Sequence, residues 1–175
     1  MGVERHRKTP QRANAAQEGS AMNLDDLTRR IQVLEDIEAI KRLKAQYCTY
    51  CDNAYDADGI ASLFAEAAVW DGGSFGTHEG REAIRTFFWG ASRIFPFALH
   101  QVMNPIIEVQ GEQAAGSWYL LQPATVADGN QAVWLGARYE EEYVKVGGEW
   151  KFKRLKVHAS FLTPFDQGWA KKRFA

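Results

Sequence analysis

A chain of 175 residues suits one domain built on one core. It is 46% hydrophobic and 25% charged, as a globular protein is, and a formal net charge of −1 leaves no electrostatic footprint for nucleic acid or an acidic membrane surface. No apolar run approaches the roughly 18 residues of a transmembrane helix and the N-terminus lacks a signal peptide's apolar stretch, so a cytoplasmic location is expected.

Residues 1–22 are polar, basic and unpatterned (Arg5, Arg7, Lys8, Pro10) and read as a disordered tail, with a single domain expected over 23–175. From Asn23 the pattern changes. Asn23 or Asp25 can cap a helix, and Leu27, Ile31, Leu34, Ile37, Ile40, Leu43, Tyr47 and Tyr50 recur at three- and four-residue steps, which is one face of a long helix. Glu35-Asp36 is a candidate break, and Asn53 a left-handed terminator. Cys48 and Cys51 form C-x-x-C, but near the end of a helix and with no further cysteine for a zinc site, so they read as small packing residues. No metal and no cofactor is expected.

A short second helix follows, with Asp58 as its cap and Ile60, Leu63 and Phe64 on its inner face. Ala67–Asp71 reads as a strand turned by Gly72-Gly73, and Gly80 to about Ile94 as a third helix with Ile84, Phe87 and Phe88 inward. Strands are expected near 97–109, 113–126, 132–146 and 149–162, punctuated by Gln110-Gly111, Asp128-Gly129-Asn130 and Gly147-Gly148. Pro105 marks a bulge or an edge. Helices placed before an antiparallel meander imply an α+β fold, here a curved sheet and three helices enclosing a cone-shaped pocket.

Two residues stand out chemically. Asp52 falls where the long helix ends, although a helix C-terminus favours cations. His100 falls at the start of the first long strand. Paired with an imidazole, a carboxylate fixes its tautomer and stabilises its cation, which makes a general base. Asn104 is in phase with His100 and is a candidate for hydrogen bonding substrate; Lys156 and His158 share a face of the last strand and belong to the pocket if that face points inward. Trp70, Phe88, Trp118 and Trp134 are candidates to line the pocket, with plain core as the alternative.

At this point the chain resembles the SnoaL-like branch of the nuclear transport factor 2-like superfamily. The residues that carry the resemblance are Ile40-Lys41-Arg42-Leu43-Lys44-Ala45-Gln46-Tyr47, Cys51-Asp52, Leu63 to Trp70, Gly80 to Ile84, Leu99-His100-Gln101-Val102-Met103-Asn104 and Glu149-Trp150-Lys151-Phe152. Within that branch the Asp52 and His100 placement is similar to scytalone dehydratase, hexachlorocyclohexane dehydrochlorinase and bile acid 7α-dehydratase. The resemblance implies a conical, cystatin-like α+β barrel. It also implies a cofactor-independent lyase that removes water or halide from a hydrophobic cyclic small molecule, with His100 as base, Asp52 as its support and Tyr47 as a polar helper. It further implies a homo-oligomer, trimer or dimer. The chain departs from some relatives: Leu120, Leu121, Gln122 and Pro123 include no carboxylate, and the arginine some relatives place on the last strand has no sure counterpart in Arg154-Leu155-Lys156-Val157-His158. The alternatives are an isomerase or polyketide cyclase using the same pocket, a structural beta subunit of a ring-hydroxylating dioxygenase, and a ligand-binding protein.

Overall fold

The structure is a computed structural model and describes residues 23–174; the expected N-terminal tail lies outside the described residues. The first helix, α1 (Leu24–Asp52), is capped by the Asn23 side chain, which accepts from the Asp25 N–H at 3.1 Å. It runs unbroken through Glu35-Asp36, because Asp36 points into the protein and finds partners there. Its Oδ1 accepts from Trp150 Nε1 at 2.9 Å and Lys145 Nζ at 2.7 Å. Only the second half of the expected apolar face is buried, at Ile40, Leu43 and Tyr47; Ile31 and Leu34 are exposed, because they lie nine residues before Ile40 and Leu43 respectively and so about 180° round the helix from them.

The short helix α2 (Ala57–Ser62) is capped by Asp56, whose Oδ1 accepts from the Gly59 N–H at 3.0 Å, rather than by Asp58, which pairs outward with Arg85. Phe64 opens strand β1 (Phe64–Asp71) instead of closing that helix. A 3-10 turn over 73–75 leads to β2 (Thr77–Glu79), which pairs back on β1, and then to α3 (Arg81–Ala91). The third helix thus ends three residues before Ile94.

Beyond Pro96 the chain is almost all strand. The expected strand 97–109 divides into β3 (Phe97–Ala98) and β4 (Gln101–Gln110), with Leu99 and His100 between them. Then come β5 (Gln113–Val126), β6 (Gln131–Val146), β7 (Glu149–Pro164) and a last turn of helix, α4 (Gly168–Lys171). The sheet order is β2-β1-β7-β6-β5-β3, with β4 also on β5. Pairing is antiparallel except between β1 and β7. At Pro105 the β4–β5 register shifts, and Asn104 takes the left-handed conformation (φ 52°), as a bulge requires. Further shifts at Gly136/Ala137 and Glu142/Tyr143 bend the long β6–β7 ribbon. The result is a curled sheet whose concave side is covered by helices, the α+β architecture the sequence implies.

The core lies between α1, α2, α3 and that concave side. Ile40, Ile60, Phe64, Ile84, Phe152 and Leu155 are fully buried, and each contributes about 1.5–3 kcal/mol by leaving water. One ion pair is buried with them. Lys44 Nζ meets Glu141 Oε1 at 2.5 Å and lies 3.2 Å from the centroid of the Tyr139 ring. The Tyr143 hydroxyl donates to Glu141 and accepts from Trp118 Nε1. Cys48 and Cys51 are buried free thiols, as a packing role requires. Burial pushes the Cys48 thiol up to about 11 and holds the Cys51 thiol well above its ordinary value.

Candidate active site

Asp52 is the last residue of α1, and the sequence behind it turns sharply. The Asn53 N–H closes the helix on the Thr49 carbonyl at 3.0 Å; Ala54 and Tyr55 then both adopt left-handed backbone (φ 50° and 58°). Such conformations are costly for residues with a Cβ and persist where the surroundings over-determine them. Here they bury Tyr55 against His100, with ring centroids 6.1 Å apart, edge to face.

His100 sits in the gap between β3 and β4. One carboxylate oxygen, Asp52 Oδ1, accepts both its backbone N–H at 2.8 Å and its ring Nδ1–H at 2.7 Å. The helix end thus captures the amide where the strand is interrupted, and the same atom sets the ring. A carboxylate only accepts, so in the neutral imidazole Nδ1 carries the proton and Nε2 keeps its lone pair. Nε2 has no hydrogen-bond partner among the described residues. The imidazole is 6% exposed and the Asp52 side chain 25%, so the pair is sheltered while the carboxylate keeps contact with solvent.

His100 opens on a cavity of about 60 Å³ that is walled mainly by aromatic rings. Tyr47 and Tyr55 come from α1 and its turn, Trp70 from β1, Phe87 and Phe88 from α3, and Leu120, Gln122, Leu135, Tyr139 and Val157 from the sheet. The rings brace one another. Trp70 Nε1 donates to the Tyr47 hydroxyl at 3.1 Å and the Trp70 ring packs 4.6 Å from Phe87; His78 packs against both, 4.4 Å from Phe87 and 5.8 Å from Trp70. Burial keeps the phenols of Tyr47, Tyr55 and Tyr139 protonated, well above their ordinary range. No cluster of His, Cys, Asp or Glu among the described residues is arranged to hold a metal ion.

The structure brings together Asp52, His100, Tyr47, Trp70 and Phe88 of the residues singled out in the sequence. The other five lie elsewhere. Asn104 is exposed on the outer side of the sheet, because the left-handed turn at the bulge breaks its phase with His100. Lys156 and His158 face outward to Asp71 and Glu140, at 3.2 and 3.1 Å; Val157 is the strand's cavity residue, one position off, because the bulges in the β6–β7 ribbon reset the alternation. Trp118 is core, bonded to Tyr143, and Trp134 flanks Thr163 near the rim of the sheet; neither lines the cavity. Tyr55, Tyr139 and Gln122 line the cavity without having been singled out. For Gln122 the usable signal is strand register.

Residues 32–156, most of the chain, match the SnoaL-like domain. The chain belongs to the SnoaL-like family. It is 26% identical to gamma-hexachlorocyclohexane dehydrochlorinase of Sphingobium indicum over 110 residues, 60% of this chain and 69% of that one. Among solved structures it is similar to a hexachlorocyclohexane dehydrochlorinase Type2 (TM-score 0.72, 25% identity, 80% of this chain and 93% of that one). A scytalone-dehydratase-like protein of Novosphingobium aromaticivorans is nearly as similar (TM-score 0.69, 25% identity, 75% and 89%). A protein with a cystatin-like fold from Nostoc punctiforme shares the fold at 21% identity (TM-score 0.61, 71% and 90%). Family and relatives support a small-molecule role of lyase or isomerase type.

Proposed function

We propose that this SnoaL-like protein is a cofactor-independent lyase that removes water or halide from a hydrophobic cyclic small molecule. His100 Nε2 takes a proton from carbon. Asp52 holds the ring through Nδ1 and stabilises the imidazolium that forms. The proton then passes from His100 to a departing hydroxyl, which leaves as water, or neutralises a departing halide. Tyr47, braced by Trp70, presents a neutral hydroxyl to the substrate. The observation that supports this most is the pairing of Asp52 with Nδ1, which leaves Nε2 free at an aromatic cavity.

The test is a panel of cyclic β-hydroxy ketones and chlorinated cyclohexanes, followed for release of water or chloride. Removing a positioned base costs about 10²–10⁴-fold in rate, so His100→Ala and Asp52→Asn are expected to lose that much with unchanged thermal melting. Equal turnover in wild type and both variants would sink the proposal. An isomerase in the same cavity is the second reading. What favours it is that neither lysine nor arginine lines the cavity to receive a departing anion; a product of unchanged mass would establish it. The proposal includes self-association through the outer side of the sheet, where Met103 and Tyr119 stand exposed on adjacent strands.

A further inference from the structure

Five polar or charged residues among those described are buried: Asp36, Lys44, Gln122, Glu141 and Thr163. Four have partners within the protein. Gln122, 3% exposed, has none for its carboxamide among the described residues. A side-chain amide with no partner in the protein is left to water or to a ligand. Its amide atoms are not sealed in protein, since no buried side-chain nitrogen or oxygen among the described residues is both shut off and unpartnered. They open on the cavity that Gln122 lines.

Strand register puts Gln122 next to the base. Ala98 faces Ala124 and Gln101 faces Leu121, and the Leu99 N–H donates to the Pro123 carbonyl at 3.1 Å. The register is the same on both sides of the break between β3 and β4, so His100 faces Gln122. Facing residues of antiparallel strands project to one side of the sheet, with Cβ atoms about 4.5–5.5 Å apart. The imidazole and the carboxamide therefore enter the cavity side by side. The rest of the wall is aromatic or aliphatic, apart from phenols that stay neutral, and no cationic side chain is present.

We propose that Gln122 is the substrate-anchoring and specificity-determining residue of this cavity, and that its ligands are neutral ring compounds bearing a carbonyl oxygen next to the carbon that His100 deprotonates. This rests on the reading of His100 as the base. The carboxamide N–H donates to the carbonyl. When Nε2 takes the α proton, the C–H electron pair moves through the α carbon onto that oxygen, and the N–H meets the negative charge there. Collapse of the enolate then expels a β-hydroxyl, which takes the proton from His100 and leaves as water. Starting compound equals enone plus water, and the base is regenerated.

The probes are 2-tetralone and tetralin, which share a ring system and differ in the carbonyl. Binding is read from the fluorescence of Trp70 in the wall, and the carbonyl stretching band of bound 2-tetralone from infrared difference spectra. Wild type is expected to prefer the ketone by about tenfold, the worth of one hydrogen bond, with the carbonyl band shifted to lower frequency. Gln122→Leu is expected to keep its affinity for tetralin, lose the preference and return the band to its apolar-solvent position. Gln122→Met gives the same readout should the leucine variant fail to fold. A preference retained in both variants, or absent in wild type, overturns the proposal. Failure of the base is read separately: if wild type prefers the ketone through Gln122 yet does not exchange its α protons, the anchoring role stands and the lyase reading fails.

Discussion

Single atoms decide the chemistry. Asp52 Oδ1 serves two donors of His100 at once, backbone and ring, so the imidazole is fixed in position and in tautomer by one oxygen. Asp52→Asn supplies an oxygen of the same reach without the charge, and is expected to preserve the melting temperature while lowering turnover. The nearby thiols make a contrasting case. Cys48, with its pKa near 11, and the more deeply buried Cys51 stay protonated at neutral pH, and the thiolate is the reactive form. Neither is expected to react with a disulfide exchange reagent in the folded protein at neutral pH, and both are expected to react on unfolding; prompt modification of the native protein would contradict a packing role. The residues that sequence alone identifies are those whose place depends on an element's end. Asp52 closes a helix and His100 precedes a strand, and both positions survive small errors in register. Lys156 and His158 depend on the phase of a sixteen-residue strand with two bulges in its pairing, and phase is what bulges change. Tyr55 was hidden for another reason: two left-handed residues outside any helix or strand aim it, and no periodicity reports on them.

At the scale of elements, two buried charges tie α1 to the β6–β7 ribbon. Lys44 and Glu141 are fully enclosed, so losing one partner strands the other. Lys44→Met is expected to cost about 3–5 kcal/mol, and the Lys44→Met/Glu141→Leu pair much less, measured by urea unfolding. A double variant as unstable as the single would assign the effect to lost packing. Asp36 is the second tie. Burial alone raises its carboxyl, but hydrogen bonds from Lys145 and Trp150 outweigh it and hold the group below the ordinary 3.8. Its contribution to stability is therefore complete above that value and lost as pH falls through the depressed one. Asp36→Asn is expected to flatten the acid limb of the stability curve below about pH 4; an unchanged limb would show that other carboxylates govern it. The helix pattern in the sequence shows α1 but not its docked face, because repeated three-residue steps drift round the helix and leave Ile31 and Leu34 about 180° from Ile40 and Leu43 respectively, the pair that is buried.

At the scale of the molecule, the curled sheet provides an aromatic interior and an outer side with exposed Met103, Ile106 and Tyr119. The architecture was legible from element order, since helices followed by a meander with clear turns leave few arrangements. The depth of each aromatic ring was not, since alternation says which side a residue faces and not how far along the cone it lies; hence Trp70 lines the cavity and Trp118 the core. Light scattering is expected to give a mass that is a multiple of the chain's, and Tyr119→Glu to reduce it; a monomeric wild type would remove self-association from the account. The central claim is that His100, held by Asp52, is a base facing this cavity, and carbon-acid exchange tests it without the natural substrate in hand. The measurement is the rate at which the α protons of 2-tetralone exchange for deuterium in heavy water, followed by proton NMR. The account predicts acceleration by wild type and its loss in His100→Ala and Asp52→Asn, with folding intact. Exchange by wild type no faster than buffer, or undiminished in His100→Ala, would contradict it.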